Sequence, residues 1–339
     1  MTVLSAGAPV GTPLHQVGRR TITLVDAARD GRRLDVDLWY PADHSDAPRS
    51  VYEVFPGVAF DAAWARHHPP VRAGRYPVLL FSHGRTGMRI SYSMVCEALA
   101  AHGMVVASAD HPGDALADWL TAQQTDDRTN EINRVADAHL VIDALLHGHA
   151  EVPRGLTEVL DHDRIAIAGH SYGAYTAFAT AAGSRGVDPH EHVRAVIGFQ
   201  PFIRTMSDRL LQRVAVPSLL VVSELDTTTP AHVDADRAWA LAPGRPAWRL
   251  DLAGAGHQAI SDIALYAELA DHVEGLPQLV RDYLAFTAAG SIGPGTRPWR
   301  TVMAEQVAVA WAFLQVALDL DERVGARAAH DFGDVLLQR

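Results

Sequence analysis

Short apolar segments alternate along this chain with segments whose apolar residues recur at helical spacing. Short apolar runs are typical of strands that a sheet buries on both faces. The strand-like runs occupy residues 76–81, 104–108, 165–168, 195–199, 218–222 and 247–252. The helix-like segments between or beside them occupy residues 90–99, 132–146, 172–182, 206–214 and 231–241. Repeated strand–helix–strand units predict an α/β fold with a mainly parallel central sheet and helices on both faces.

The remaining segments complete the predicted domain organisation. Residues 32–40 alternate apolar and polar side chains, which predicts a half-buried strand. Residues 47–73 contain several prolines and indicate a long irregular connection, and residues 1–20 lack periodicity and indicate a loosely held N-terminal arm. Residues 302–320 are apolar around most of a helix, so we expect that helix to pack on the main body. We therefore predict an arm at 1–20 and a single domain at 21–339.

Composition excludes several classes of function. The 339-residue chain has a formal net charge of −11, so we expect no nucleic-acid partner. No apolar run approaches the length of a membrane span, and the start lacks the pattern of a secretory signal, so we expect a cytoplasmic protein. Cys96 is the only cysteine, and all 29 basic residues are arginine, which excludes disulfides within the chain and Schiff-base chemistry on lysine. The pattern does not indicate an oligomeric state.

The sequence Gly-His-Ser-Tyr-Gly at residues 169–173 lies directly between a predicted strand and a predicted helix. In that context, a serine occupies a strained turn that exposes its hydroxyl above the sheet, as a nucleophile requires. The alternative is a tight strand–helix connection with an incidental serine. The strand before the motif and the small-residue helix after it favour a nucleophile at Ser171.

A nucleophilic serine needs a base and an acid that orients the base, and in proteins with this turn they follow in the order acid, then histidine. His257 is the one downstream histidine that lies in a Gly/Ala loop directly after a predicted strand. Asp226 lies just beyond the end of the strand at 218–222 and is the favoured acid, with Glu224 as its rival. Two backbone N–H groups should stabilise the oxyanion: that of Tyr172, and that of Arg85 in the loop after residues 76–81.

Five segments together resemble a known family: FSHGRTG at 81–87, ADHPGD at 109–114, DRIAIAGHSYGAYTA at 163–177, SELD at 223–226 and GAGHQAISD at 254–262. They resemble α/β-hydrolases, and most closely the platelet-activating-factor acetylhydrolase-like group, which is often labelled dienelactone-hydrolase-like in bacteria. The resemblance implies the α/β-hydrolase fold, a triad of Ser171, Asp226 and His257, and oxyanion donors at Arg85 and Tyr172. The chain departs from many relatives at Ala174 and at the charged Arg85, so the resemblance does not specify the substrate.

We therefore expect a serine esterase that cleaves a small-molecule or lipid ester and needs no cofactor. The alternatives are a lactonase or dienelactone-type hydrolase, a polyester or lipid esterase, a peptidase or amidase, and a non-catalytic binding protein with this fold. Histidine pairs at 67–68 and 147/149 and the Asp-His-Asp run at 161–163 lack the spacing of a zinc hydrolase, so we expect no metal. Asp110 and His111 either line the pocket or hold the loop backbone. Residues 114–130 either border the substrate site or form a solvated loop.

Overall fold

The computed structural model describes residues 4–5, 14–55, 58–273 and 275–339. Within these residues, twelve strands form one sheet. The strands are β1 (Leu4–Ser5), β2 (Gln16–Asp26), β3 (Arg32–Ala42), β4 (Arg49–Phe55), β5 (Val58–His67), β6 (Tyr76–Ser82), β7 (Val105–Ala109), β8 (Leu160–His170), β9 (Val193–Phe199), β10 (Ser218–Ser223), β11 (Ala247–Leu252) and β12 (Leu336–Gln338).

Helices connect the strands in the second part of the sheet. They are α1 (Ser93–Ala101), α2 (Leu116–Leu120), α3 (Asp127–His147), α4 (Tyr172–Ala182), α5 (Asp208–Leu211), α6 (Ala235–Leu241), α7 (Ile263–Ala270), α8 (Gln278–Ile292), α9 (Trp299–Ala317) and α10 (Val324–Phe332). The chain thus follows the strand–helix alternation that the apolar pattern predicted.

The strand order places a parallel core between margins that contain antiparallel pairs. The order is β1-β5-β2-β3-β7-β6-β8-β9-β10-β11-β12, with β4 beside β5. From β7 to β11 every neighbouring pair is parallel, whereas β3 pairs antiparallel with both β2 and β7. Because parallel strands end at the same edge, the loops after β6, β8, β10 and β11 all meet at one edge of the sheet. The prediction of a mainly parallel sheet is confirmed.

The sheet is buried on both faces, as the apolar runs predicted. In β6, Leu79 and Phe81 pack into a core that includes α1 and α9, whereas Val78 and Leu80 pack into a second core with α3 and α4. All four side chains are at most 3% exposed. Burying a side chain of this size contributes about 1.5–3 kcal/mol. A strand in the centre of the sheet therefore has no face that is exposed to solvent.

The predicted irregular connection at 47–73 is wrong, because β4 and β5 pair there as antiparallel neighbours. The alternation of buried and exposed residues along β4 has the period of a strand, but it is short and is followed by prolines. Pro56 and Gly57, which suggested a loop, lie outside the described residues. Tertiary pairing with β2 stabilises this hairpin against its weak local signal.

The predicted N-terminal arm is also wrong in part, because residues 16–20 begin β2, which pairs with β3 along its whole length. The arm was predicted because residues 1–20 lack periodicity. In the structure, Arg19 of this stretch lies 2.6 Å from the buried carboxylate of Asp37 on the neighbouring strand. Residues 1–3 and 6–13 of the predicted arm lie outside the described residues.

Several helices differ from their predicted extents. The predicted helix at 206–214 contains only the four residues of α5. The helix predicted at 302–320 is α9, which begins three residues earlier and packs into the core beside α1. Helices α2, α7, α8 and α10 were not predicted. Three of these, α2, α7 and α8, border the site described next.

Candidate active site

Ser171 occupies the turn between β8 and α4 in a strained conformation, with φ of 53° and ψ of −118°. The two glycines of the motif permit this turn for a steric reason. A Cβ atom on Gly169 would lie 2.1 Å from the carbonyl oxygen of Gly173, and one on Gly173 would lie 2.0 Å from that of Ser82. Both obstacles are backbone atoms that cannot move aside. The tight turn lifts the Ser171 hydroxyl to the edge where the parallel strands end.

His257 lies between Ser171 and Asp226. Its Nε2 is 3.0 Å from the Ser171 Oγ, and its Nδ1 is 2.8 Å from the Asp226 Oδ2. Since a carboxylate only accepts, Nδ1–H is the donor to Asp226, and the Nε2 of the neutral ring presents a lone pair to the serine hydroxyl. The structure thus brings together three residues that are separated by up to 86 positions in sequence.

Asp226 is held by backbone and hydroxyl donors from its own loop. Its Oδ1 accepts hydrogen bonds from the N–H groups of Thr228 and Thr229, each at 2.8 Å, and its Oδ2 accepts from the Thr229 hydroxyl at 2.7 Å. Burial alone would raise the pKa of Asp226, but the hydrogen bond and charge of His257 and the donors of Thr229 lower it below its usual value. The Asp226 carboxylate is therefore ionised at neutral pH.

Glu224, the rival acid, does not approach His257. Its side chain is exposed, and its Oε2 accepts a hydrogen bond from the Gly254 N–H at 2.8 Å. Gly254 lies three residues before His257 in sequence. Glu224 therefore contacts the backbone of the histidine loop, whereas Asp226 contacts the imidazole.

The loop after β6 approaches Ser171 through Gly84. A Cβ atom on this residue would lie 3.4 Å from the Ser171 Cβ and 3.1 Å from the His170 ring. The Gly84 N–H donates to the Tyr92 hydroxyl at 3.2 Å, so it is not free to bind another acceptor. The Gly84 carbonyl accepts from the Arg134 guanidinium at 3.2 Å and from the Gly87 N–H at 3.1 Å. In a trans peptide the next N–H points the opposite way, so the N–H of Arg85 is directed away from Arg134.

The Arg85 side chain turns to the rim of the site. It lies 2.5 Å from the Asp127 carboxylate, and its guanidinium stacks over the Tyr172 ring at 4.7 Å from the centroid. Tyr172 is the first residue of α4, where a backbone N–H has no acceptor within the helix. The two N–H groups predicted from the sequence therefore belong to residues that flank Ser171 and contact each other.

Arg134 is a residue of the site that sequence reasoning missed. It is fully buried on α3, lies 2.7 Å from the Asp114 carboxylate and donates to the His83 carbonyl at 2.8 Å. A usable signal existed: Arg134 has helical spacing with the buried Ala138 and Val141. A charged residue on the buried face of a helix must have a specific partner.

Asp110 and His111 hold loop backbone and neighbouring side chains, one of the two alternatives that the sequence left open. Asp110 accepts from the Arg89 N–H at 2.6 Å. The His111 ring contacts Ser82 at 2.9 Å and Asp137 at 3.0 Å, below the loop that contains Gly84. Neither residue lines the cleft above Ser171.

That cleft is mainly apolar and has a volume of about 460 Å³. Ser171 lies in its wall, and Leu116 and Trp119 of α2 face it together with Tyr283 and Phe286 of α8. The Trp119 and Tyr283 rings are 5.6 Å apart, so the two helices meet beside the opening. Residues 114–130 therefore border the site at least through α2. This cleft offers an apolar surface to a ligand that reaches Ser171.

Among the described residues, no group of three or more His, Cys, Asp or Glu side chains could hold a metal ion. The histidine pair at 67–68 stacks ring on ring at 3.9 Å between centroids. No helix within the described ranges has both the length and the apolar character needed to cross a bilayer.

Comparison with known proteins places this geometry in a wider group. The family model described as Chlorophyllase matches residues 67–224. The ferulic acid esterase from Streptomyces cinnamoneus is 24% identical and superimposes with a TM-score of 0.65 over 92% of both chains. The chain has the α/β-hydrolase fold. The fold that the motifs implied is confirmed.

The curated relatives match about half of the length of the chain. Platelet-activating factor acetylhydrolase of Bos taurus is 25% identical over 209 residues, which are 50% of this chain and 44% of the relative. Chlorophyllase type 0 of Chenopodium album is 32% identical over 150 residues, 43% of this chain and 40% of the relative. The matched part thus spans less than half of these relatives. The resemblance to the platelet-activating-factor acetylhydrolase-like group is confirmed.

Proposed function

We propose that this α/β-hydrolase cleaves carboxylic esters through an acyl-enzyme on Ser171. The observation that carries the proposal is the continuous hydrogen-bonded series from Asp226 through His257 to Ser171, which ends in an apolar cleft. In this assignment the three residues form a catalytic triad. The names of the relatives, which include an acetylhydrolase, chlorophyllases and a cutinase, support an ester hydrolase.

In the first half-reaction, the Ser171 Oγ attacks the ester carbonyl carbon and its proton passes to the His257 Nε2. Asp226 stabilises the resulting imidazolium and retains the proton on Nδ1. When the tetrahedral intermediate collapses, His257 gives its proton to the leaving oxygen, and the alcohol departs. Water then attacks the acyl carbon and gives a proton to the His257 Nε2. As the bond between the acyl carbon and the Ser171 Oγ breaks, His257 returns that proton to Oγ and the carboxylic acid is released.

The negative charge of the tetrahedral intermediate falls on the former carbonyl oxygen and needs donors that are already oriented. We assign this role to the backbone N–H groups of Arg85 and Tyr172. Two contacts support Arg85 over its neighbour: the Gly84 N–H is engaged by Tyr92, and the Gly84 carbonyl is held by Arg134. The peptide between Gly84 and Arg85 cannot rotate without breaking the contact between its carbonyl and Arg134.

The cleft supports an uncharged small-molecule or lipid ester as the substrate. Among its described lining residues the only charged side chain at neutral pH is Arg85, and the Asp127 carboxylate neutralises it. The acidic chain and apolar cleft do not favour nucleic acid, and the proposed chemistry requires no cofactor. A cytoplasmic location stays a prediction of the sequence.

Reaction with a fluorophosphonate tests the proposal directly. The chain should gain one adduct by intact mass, and peptide mapping should locate it at Ser171. Ser171→Ala should gain none and lose nearly all hydrolysis of p-nitrophenyl esters, whereas Ser207→Ala, a change at an exposed serine, should behave as the parent. A folded chain that neither reacts with the probe nor hydrolyses esters, lactones or amides would be a binding protein instead.

A further inference from the structure

The Tyr92 hydroxyl lies where three loops of the site converge. It is buried, accepts a hydrogen bond from the Gly84 N–H at 3.2 Å and lies 2.8 Å from the His170 Nδ1. On the other side of the ring, the His170 Nε2 is 2.7 Å from the His257 carbonyl oxygen. Tyr92 and His170 therefore connect the loop after β6, the serine turn and the histidine loop.

Only one arrangement of protons satisfies these contacts. The His257 carbonyl can only accept, so the His170 Nε2 carries the proton that is donated to it. Burial, and then the neighbouring His257, lower the pKa of His170 to about 3, so the ring is neutral at physiological pH. Its Nδ1 must then accept, and the donor is the Tyr92 O–H. That hydroxyl in turn accepts from Gly84, and the series has a single direction from the Gly84 N–H to the His257 carbonyl.

We propose that Tyr92 is a positioning residue that aligns the oxyanion loop with the catalytic histidine, acting through the Nε2–H tautomer of His170. The inference rests on the proposed function, because it assigns a purpose to the alignment. Tyr92 touches neither Ser171 nor the His257 ring by any hydrogen bond among the described residues. Its effect is carried by the two backbone groups at the ends of the series.

Removal of the hydroxyl would loosen the series at both ends. Without Tyr92 as donor, the His170 Nδ1 has no partner, and only the contact of Nε2–H with the His257 carbonyl still orients the ring. The Gly84 N–H loses its acceptor, so the residue that precedes the Arg85 N–H loses one of its constraints. Tyr92 and His170 also line the cleft, but the change removes one hydroxyl and leaves the ring in the wall, so we expect it to affect the transition state more than the binding of substrate.

Tyr92→Phe tests the inference, with Tyr40→Phe as the matched control. The Tyr40 hydroxyl is also buried, and it donates to the Pro69 carbonyl at 2.9 Å far from the cleft. We expect Tyr92→Phe to lower kcat on a p-nitrophenyl ester at least tenfold with KM within about twofold. Tyr40→Phe should keep both constants even if its Tm falls equally. An unchanged kcat in Tyr92→Phe would overturn the proposal.

A pair of changes at His170 separates positioning from general packing. Glutamine offers one donor and one acceptor, and can replace both contacts of the ring, whereas leucine fills the space with neither. We expect His170→Gln to retain several-fold more kcat than His170→Leu at comparable Tm. Equal activities of the two variants would contradict a hydrogen-bonded role.

Proton NMR supplies a measurement that does not depend on hydrolysis. The His170 Nε2–H, buried and hydrogen-bonded, should give a slowly exchanging downfield resonance that is absent from His170→Gln. It should persist in Ser171→Ala and Tyr40→Phe, and it should exchange faster in Tyr92→Phe because the ring keeps only its contact with the His257 carbonyl. Absence of the resonance from the parent would overturn the tautomer assignment. A wild-type chain that shows the resonance but hydrolyses no ester would refute the proposed function and not the alignment.

Discussion

Each proposed catalytic side chain is held in place by a different kind of interaction. Ser171 is fixed by a strained backbone turn, Asp226 by three hydrogen bonds within its own loop, and His257 by partners at both ring nitrogens. A rigid nucleophile and acid leave the histidine as the group that moves protons. The effect of a substitution on activity should therefore depend on which of these interactions it removes.

Asp226→Asn should reduce kcat/KM by about three to four orders of magnitude. The amide can donate to Nδ1 and stabilise the wrong tautomer of His257, which puts a proton where Ser171 needs a lone pair. Glu224→Gln should remain within about threefold of the parent, because the amide oxygen can still accept from Gly254. Kinetics on one activated ester, with circular dichroism on both variants, measure the difference. If kcat/KM fell strongly in Glu224→Gln and stayed near the parent value in Asp226→Asn, the assignment of the acid would be refuted.

Asp262 gives a pH dependence of stability that can be isolated. Burial raises the pKa of Asp262 to about 8, although hydrogen bonds from Ser93 and Met94 oppose the shift. Because the folded pKa lies above the unfolded value of about 4, the unfolded state releases this proton first as pH rises. The contribution of Asp262 to the free energy of unfolding is therefore largest below pH 4 and declines up to about pH 8.

Asp262→Asn should remove that decline, since the amide cannot titrate. The free energy of unfolding of the variant minus that of the parent should increase between pH 5 and pH 7.5, whatever its sign at pH 5. Urea unfolding at the two pH values measures it. A difference that stays constant or decreases would show that Asp262 is ionised in the folded protein.

At the scale of elements, the site depends on how closely α4 and β8 approach the end of β6. The carbonyl of Ser82, the last residue of β6, leaves no room for a side chain at Gly173, the second residue of α4. The backbone of the turn thus packs directly against the backbone of β6, and neither can shift without the other. The strain at Ser171 persists because both sides of the turn are packed.

Gly173→Ala should therefore abolish activity and lower Tm severely, since the clash is with backbone. Gly325→Ala, a change within α10, is the matched control. The added Cβ would lie 3.4 Å from a methyl group of Val316 in α9, which is an ordinary van der Waals contact. Alanine is favoured over glycine in a helix, so this variant should be as stable as the parent or more stable. Thermal melts and esterase assays of both variants compare them. A well-folded, active Gly173→Ala would contradict the packing described for the turn.

At the scale of the whole molecule, the parallel order brings residues from distant loops to one edge. Ser171 follows β8, Asp226 follows β10 and His257 follows β11, while Arg85 follows β6. Helix α9 supports the histidine loop from behind, because the Gln306 amide donates to the Ala259 carbonyl at 3.0 Å. The proposed chemistry is therefore complete in side chains and backbone groups of this one chain.

Activity should consequently survive dialysis against EDTA with kcat/KM unchanged within error. The physical reason is that the proposed mechanism polarises the carbonyl with N–H groups and activates the nucleophile with His257, so no Lewis acid is required. Ester hydrolysis before and after chelation measures this. If chelation abolished activity and a specific divalent ion restored it, the reaction would depend on a metal ion that the histidine pattern did not indicate.

The sequence alone was sufficient for the central strands and the serine turn. The predicted strands at 76–81 and 218–222 are buried on both faces, and a short run of apolar residues is typical of such strands. Helix α4 matches its predicted range of 172–182. Spacing relative to the strand ends also favoured Asp226 over Glu224, and the contacts of the two carboxylates agree with that preference.

Tertiary structure decided what local pattern could not express. The hairpin of β4 and β5 forms because a neighbouring strand is available to pair with it, and Arg19 is stabilised in β2 by its ion pair with Asp37 of the neighbouring strand. Arg134, Tyr92 and His170 acquire their contacts only when α3, α1 and β8 converge on the loop after β6. Hydrogen bonds between residues far apart in sequence produce no periodic pattern in the sequence, because they form only after the fold has brought the two segments of backbone together.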